Sequence, residues 1–218
     1  MTQPRFADAI NGVPLIPIIQ ADDPADGVNI ARAMAKGGIT SVEVVLRTPK
    51  ALDCVRAIRA EVDVQVGVGT LLTPEHIRQS IDAGAQFLVT PASSPTMLAA
   101  LLGCGIPFIP GVGCTSDILK AWELGIREMK FFPAGLLGGA PMLKAIGSVF
   151  QDVSFCPTGG VSADNLLDFL SLKNVFAAGG SWLSPASAVA AKDWQVIENL
   201  CREAVTLIQS QHLEGKVA

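Results

Sequence analysis

Met34-Ala35-Lys36-Gly37-Gly38 followed by Ser41-Val42-Glu43-Val44-Val45-Leu46 joins the end of an amphipathic helix to a short apolar run through a glycine pair. Glycine suits that junction because a left-handed backbone costs it nothing. The arrangement returns at Ala83-Gly84 before Phe87-Leu88-Val89, at Gly103-Cys104-Gly105 before Ile106-Pro107-Phe108-Ile109, and at Leu124-Gly125 before Ile126-Arg127-Glu128-Met129-Lys130-Phe131-Phe132. Helix starts are marked too. Thr73-Pro74 and Ser94-Pro95 each place a capping hydroxyl before a proline suited to the first helical position, and Ser162 and Thr115 or Ser116 read as further caps. With Leu15–Ile19, Val64–Val68, Val153–Phe155 and Val175–Ala178, the chain offers eight apolar strand segments with helical patterns between them. Such alternation implies an α/β protein with a parallel sheet. Eight units can close into a (β/α)8 TIM barrel, an open doubly wound sheet being the competing topology. Trp194–Gln211 reads as the last covering helix. No linker or low-complexity tract interrupts residues 1–218, so a single domain is expected.

Composition narrows the function. Half of the 218 residues are apolar, there is no Tyr, and the formal net charge of -4 comes without a basic cluster, so nucleic acid is not an expected partner. Met1 to Ile10 carries one Arg, one Asp and no long apolar run, the pattern of neither a signal peptide nor a membrane anchor. Five cysteines (Cys54, Cys104, Cys114, Cys156 and Cys201) are scattered without a Cys-x-x-Cys pair, which suggests reduced thiols in a cytoplasmic enzyme rather than a disulfide framework or a zinc site. The two histidines, His76 and His212, are too few for a His-rich metal site. His212 falls in a polar tail and is expected to be solvated. His76 lies in the first turn of a helix that begins on the catalytic face, where a substrate contact is a minority reading. With no Gly-x-Ser-x-Gly elbow and no Walker-type loop, acid–base work falls to carboxylates, lysines or hydroxyls.

Charged residues inside strands therefore draw the eye. Side chains alternate along a strand, so Glu43, Val45 and Arg47 share one face while Val42, Val44 and Leu46 share the other. The apolar face suits the helix layer, which sends Glu43 and Arg47 toward the barrel axis, with Arg47 at the C-terminal end where barrel active sites are built. A buried Glu43–Arg47 ion pair that merely fixes the strand is the equally open alternative. Lys130 stands in Glu128-Met129-Lys130-Phe131-Phe132, among aromatics and a thioether. Burying an ammonium is costly, and desolvation favours the neutral amine, the form that attacks a ketone to give a Schiff base. The structural alternative pairs Lys130 with Glu128 on its own strand face, or with Glu43 across the barrel. Two glycine pairs, Pro157-Thr158-Gly159-Gly160 and Ala178-Gly179-Gly180-Ser181, follow the last two strand segments. In barrels this is where a phosphate is commonly held, so a phosphate-bearing ligand is expected. Gly138-Gly139 reads as an ordinary loop.

Five segments together resemble the 2-keto-3-deoxy-6-phosphogluconate (KDPG) aldolase and 4-hydroxy-2-oxoglutarate (KHG) aldolase family. They are Val42-Glu43-Val44-Val45-Leu46-Arg47-Thr48, Gly67-Val68-Gly69-Thr70, Lys130-Phe131-Phe132-Pro133-Ala134, Phe155-Cys156-Pro157-Thr158-Gly159-Gly160-Val161-Ser162 and Gly179-Gly180-Ser181-Trp182-Leu183, in the same order, spanning Pro14 to Pro185. The resemblance implies a (β/α)8 barrel assembled as a homotrimer and working without metal or other cofactor. It implies that Lys130 forms the Schiff base and Glu43 moves protons. Arg47 and Thr70 match residues that hold the carboxylate end, Thr158 lies in the motif that helps define substrate preference, Gly159, Gly160, Gly180 and Ser181 match the phosphate site, and Pro91 and Phe132 match pocket residues. The implied ligands are a phosphorylated keto acid and pyruvate. Thr90-Pro91-Ala92-Ser93, Gly111-Val112-Gly113-Cys114-Thr115 and Ala134-Gly135-Leu136-Leu137-Gly138-Gly139 depart from the commoner family pattern, and they bear on substrate preference because they rim the active face. A non-covalent sugar-phosphate isomerase using Glu43 as base, or a binding module with structural charges, would explain the same residues without an imine.

Overall fold

A computed structural model of the chain describes residues 4–10 and 12–214, with side chains through Ser210. The elements run α1 (Phe6–Ala9), β1 (Leu15–Ile19), α2 (Pro24–Lys36), β2 (Ser41–Val45), α3 (Ala51–Glu61), β3 (Gln65–Gly69), α4 (Pro74–Asp82), β4 (Phe87–Val89), α5 (Pro95–Leu102) and β5 (Phe108–Ile109). They continue with β6 (Gly111–Val112), α6 (Thr115–Glu123), β7 (Glu128–Phe131), α7 (Gly139–Gly147), β8 (Ser154–Pro157), α8 (Leu166–Leu170), β9 (Ala178–Gly180), α9 (Ala186–Ala191) and α10 (Trp194–Glu214).

One ladder runs β5-β4-β3-β2-β1-β9 and a second runs β6-β7-β8, with every pairing parallel. β5 and β6 are two pieces of one strand path divided by Pro110, which has no N–H to give a ladder. The path changes partner there: Ile109 pairs with Val89 of β4, and Gly111 with Lys130 of β7. On the opposite side, parallel bridges Phe155↔Val175 and Thr158↔Gly179 join β8 to the β9 path. The sheet closes into the expected (β/α)8 barrel.

Gly38, Gly84, Gly105 and Gly125, the expected helix stops, all have positive φ. Thr73 and Ser94 cap α4 and α5 by accepting from the His76 and Met97 N–H groups. Other expectations need correcting. The Gly111-Val112 segment is strand, not loop, because the path resumes beyond Pro110. The last strand begins at Ala178 rather than Val175, since Val175 makes only a single bridge, and it takes in Gly179 and Gly180. Ser162 caps nothing; its own N–H donates to Asn165 Oδ1 and α8 starts three residues later than a cap there would place it. Cys114, not Thr115 or Ser116, occupies the cap of α6. Gly138 is the left-handed residue that opens α7.

Apolar side chains fall into two layers. Val42, Val44, Val66, Val68, Leu88 and Met129 face the helices in a continuous outer core. Inside the barrel a smaller cluster holds Phe6, Ile16, Phe87, Val89, Ile109, Cys156 and Ala177. Phe6 enters from α1 and plugs the N-terminal mouth, its ring edge-on to Phe87 at 5.1 Å and to Phe176 at 6.0 Å. Its N–H donates to Glu128 Oε2 at 2.5 Å. Packing inside the barrel is tight enough that a Cβ on Gly67 would lie 1.8 Å from the Phe87 ring, which Phe6 holds in place. Gly67→Ala should therefore lose about 3 kcal/mol of stability by overpacking, read from the urea unfolding midpoint. Gly105→Ala, with open space around its Cβ and only a φ of +78° to oppose it, should lose about 1 kcal/mol.

Candidate active site

Glu43 sits mid-way along β2, its neighbours Val42 and Val44 turned to the helix layer, so the strand's alternation alone aims it into the barrel. Lys130, third residue of β7, arrives at the same interior from across the barrel. Their side chains are 3% and 6% exposed, and Lys130 Nζ donates to Glu43 Oε1 at 3.3 Å. The carboxylate leans toward the C-terminal end of β3, where a Cβ on Gly69 would lie 1.8 Å from Oε1. Gly69 is thus the space Glu43 occupies. Of the two structural partners conceivable for Lys130, Glu128 is engaged elsewhere, with Phe6 and Arg5, while Glu43 makes the contact.

Around this pair the C-terminal mouth gathers most of the expected residues. Phe132 places its ring centroid 5.5 Å from Lys130 Nζ. Thr70, just beyond Gly69, has φ +64°, a strained conformation for a β-branched residue and one that concentrates at functional sites. Thr158 is buried above β8, and its Oγ1 has no hydrogen-bond partner among the described residues. A buried hydroxyl left so is costly, and it is available to a ligand. Gly159 and Gly160 follow with φ of +84° and +82°. A Cβ on Gly159 would lie 3.0 Å from the Phe132 ring, and one on Gly160 would lie 3.0 Å from Gly135 Cα. The loops after β7 and β8 are laced together by the Ala134 and Gly135 N–H groups, which donate to the Thr158 and Gly159 carbonyls.

Arg47 departs from expectation. β2 ends at Val45, so Arg47 is on the turn that follows, exposed, and pairs with no carboxylate in the barrel. It lines a cleft of 570 Å³ together with Ile18, Gln20, Asp22, Ser181 and Ser184. The cleft puts one guanidinium and the Ser181 hydroxyl on the same rim. Gly180 is strand rather than loop, and its glycine is required because a Cβ would strike the Trp182 ring at 1.7 Å. Pro91 lies on the rim after β4, its carbonyl 2.4 Å from where a Cβ on Gly111 would be. His76 serves the backbone: Nδ1 accepts the Leu72 N–H at 3.3 Å. His212 lies outside the residues whose side chains are described. Among the described residues no group of three His, Cys, Asp or Glu side chains is placed to hold a metal ion.

Cys156 was missed as a site residue. It pairs in register with Lys130 and faces the interior, where burial pushes its thiol up to about 12, Lys130 drawing it down and Glu43 raising it by lesser amounts. The period of two, read back from Thr158, was the available signal. Gln20 and Asp22, which line the cleft, gave none, since polar residues after a strand are commonplace.

A buried amine against a carboxyl group, in a barrel whose C-terminal rim carries a cation and glycine turns, has the groups that covalent chemistry on a carbonyl compound needs. The family model described as KDPG and KHG aldolase matches residues 7–200. A 2-dehydro-3-deoxy-phosphogluconate aldolase from Treponema pallidum is 41% identical over 202 residues, 92% of this chain and 96% of that protein. The KHG/KDPG aldolase of Escherichia coli K12 is 43% identical over 193 residues, covering 88% and 91%. A crystal structure of KDPG aldolase from Legionella pneumophila, with pyruvate captured as a covalent carbinolamine intermediate, matches with a TM-score of 0.87 at 38% identity, over 91% of this chain and 97% of that one. A barrel with this lysine and this carboxylate, alike along nearly its whole length to such enzymes, belongs to the KDPG and KHG aldolase family.

Proposed function

We propose that this chain is a class I aldolase that cleaves 2-keto-3-deoxy-6-phosphogluconate to pyruvate and glyceraldehyde 3-phosphate, with Lys130 as the Schiff-base residue and Glu43 as the proton carrier. The observation that carries the reading is the buried 3.3 Å contact between the two. An amine this buried, hydrogen-bonded to a carboxyl group able to move its protons, is set for attack on a ketone. The neutral amine adds to the C2 carbonyl, and Glu43 relays the protons that let the carbinolamine lose water to a protonated imine. The C3–C4 bond then breaks, its electron pair moving into the iminium as Glu43, directly or through water, takes the C4 hydroxyl proton. Glyceraldehyde 3-phosphate leaves. The enamine takes a proton at C3, and water releases pyruvate and restores Lys130.

In this reading Arg47 and Thr70 hold the carboxylate, Thr158 offers its unpartnered hydroxyl, and Pro91 and Phe132 wall the pocket. Gly159, Gly160, Gly180 and Ser181 bind the phosphate through backbone N–H groups and a hydroxyl. A second substrate, 4-hydroxy-2-oxoglutarate, is favoured by the name of the Escherichia coli relative, which covers both activities. The galactonate epimer is the other alternative. The resemblance supports a single-domain chain assembled as a homotrimer, and five free cysteines suit the cytoplasm.

Borohydride reduction in the presence of pyruvate, followed by peptide mass spectrometry, should find a stable adduct on Lys130; a folded, pyruvate-exposed chain without one overturns the mechanism. Lys130→Met should lower kcat by at least about a thousandfold while far-UV circular dichroism is retained, whereas an unfolded variant would point to a structural lysine. Ser181→Asp should raise KM for the phosphorylated substrate about tenfold or more through like-charge repulsion, with kcat little changed; an unaltered KM removes the phosphate assignment.

A further inference from the structure

Glu128 and Lys130 stand two residues apart on the inward face of β7, so their side chains are neighbours by construction, about 7 Å apart at the backbone. Yet they do not pair. Glu128 Oε2 accepts the Phe6 N–H at 2.5 Å, and Arg5 Nε lies 3.6 Å from Oε1. α1 is fixed in turn by the fully buried Phe6 ring against Phe87 and Phe176. Three titratable groups therefore surround Lys130: Glu43 from β2, Cys156 from β8 and Glu128 from its own strand. Among these three only Glu43 touches it. A cleft of 570 Å³ lined by Pro4, Arg5, Arg127, Glu128, Asp152 and Ser154 reaches Glu128 from outside the barrel, and the fully buried Phe6 ring closes the floor above it.

We propose that α1 is a basal seal whose function is to hold Glu128 away from Lys130, making Phe6 and Glu128 positioning residues for the reaction. The inference rests on the assignment of Lys130 as the Schiff-base residue. With the seal open, Glu128 turns up along β7 and becomes a second carboxylate beside the amine. It then draws the amine downward, competes with Glu43, and favours the protonated form that cannot attack a ketone.

Phe6→Ala in the full chain is expected to lower kcat about tenfold while KM stays within about twofold. Adding Glu128→Gln should restore at least half of the lost rate, because an amide carries no charge to offer the amine. A purely structural plug would give no such rescue. Phe6→Leu, which keeps an apolar side chain in the floor but loosens α1, carries the same pair of measurements if Phe6→Ala does not fold, with a smaller loss of about threefold. An open chain that keeps its full rate, or a loss that Glu128→Gln leaves unrelieved, overturns the seal. Borohydride trapping with pyruvate on the unsubstituted chain separates the two levels. An adduct on Lys130 without rescue sinks the seal alone, and no adduct sinks the lysine assignment and the seal together.

Discussion

An amine and a carboxyl group held 3.3 Å apart at almost no exposure are the constraint around which this barrel is arranged. Taking two such groups out of water is expensive, and a well-packed apolar pair of equal volume would often be as stable or more so. The cost is tolerated because the rest of the fold is built to be rigid. Two apolar layers, one outside the sheet and one within it, leave the pair no room to separate. Strand alternation supplies Glu43 from one wall and Lys130 from the other without any special local structure.

Rigid walls and an adaptable rim divide the labour. Below the pair the interior is aromatic and closed by α1. Above it the chain turns repeatedly through unusual backbone: Thr70, Gly159 and Gly160 all carry positive φ. Glycine takes such a backbone freely, and the lacing of the loops after β7 and β8 fixes the turn at Gly159 and Gly160. The exposed Arg47 and Ser181 share a solvent-facing cleft. A buried amine and carboxyl group beside an exposed guanidinium and hydroxyl separate a low-dielectric interior from a solvated rim.

Much of this was legible in the chain itself. The repeated helix–glycine–strand junctions implied the parallel sheet that closes as a barrel, and alternation around Glu43 correctly sent it inward. Lys130 was conspicuous because a lysine among aromatics needs a reason. Failures have physical causes as well. Arg47 was sent toward the barrel axis at the C-terminal end by extending the alternation past Val45; the strand stops there, and Arg47 is instead exposed on the turn, lining the cleft at that end. Pro110 hid the continuation of a strand, because the interruption it causes looks like a loop in sequence while the path resumes one residue on. Nothing in Arg5 or Phe6 announced a plug, since a four-residue helix has too little periodicity to show which way it faces.

Gly69 links two positions that are far apart in the chain. With Glu43 in its present position, a side chain at 69 would have to displace the carboxylate, whose Oε1 already fills the place of a Cβ. Any constraint on the position of the acid is therefore a constraint on the glycine as well. Descendants of this barrel can accept a side chain at 69 only after the carboxylate at 43 has been shortened, moved or lost. The order in which such changes can occur is thus written into the geometry, and a return to the present chemistry would first require the glycine to be restored.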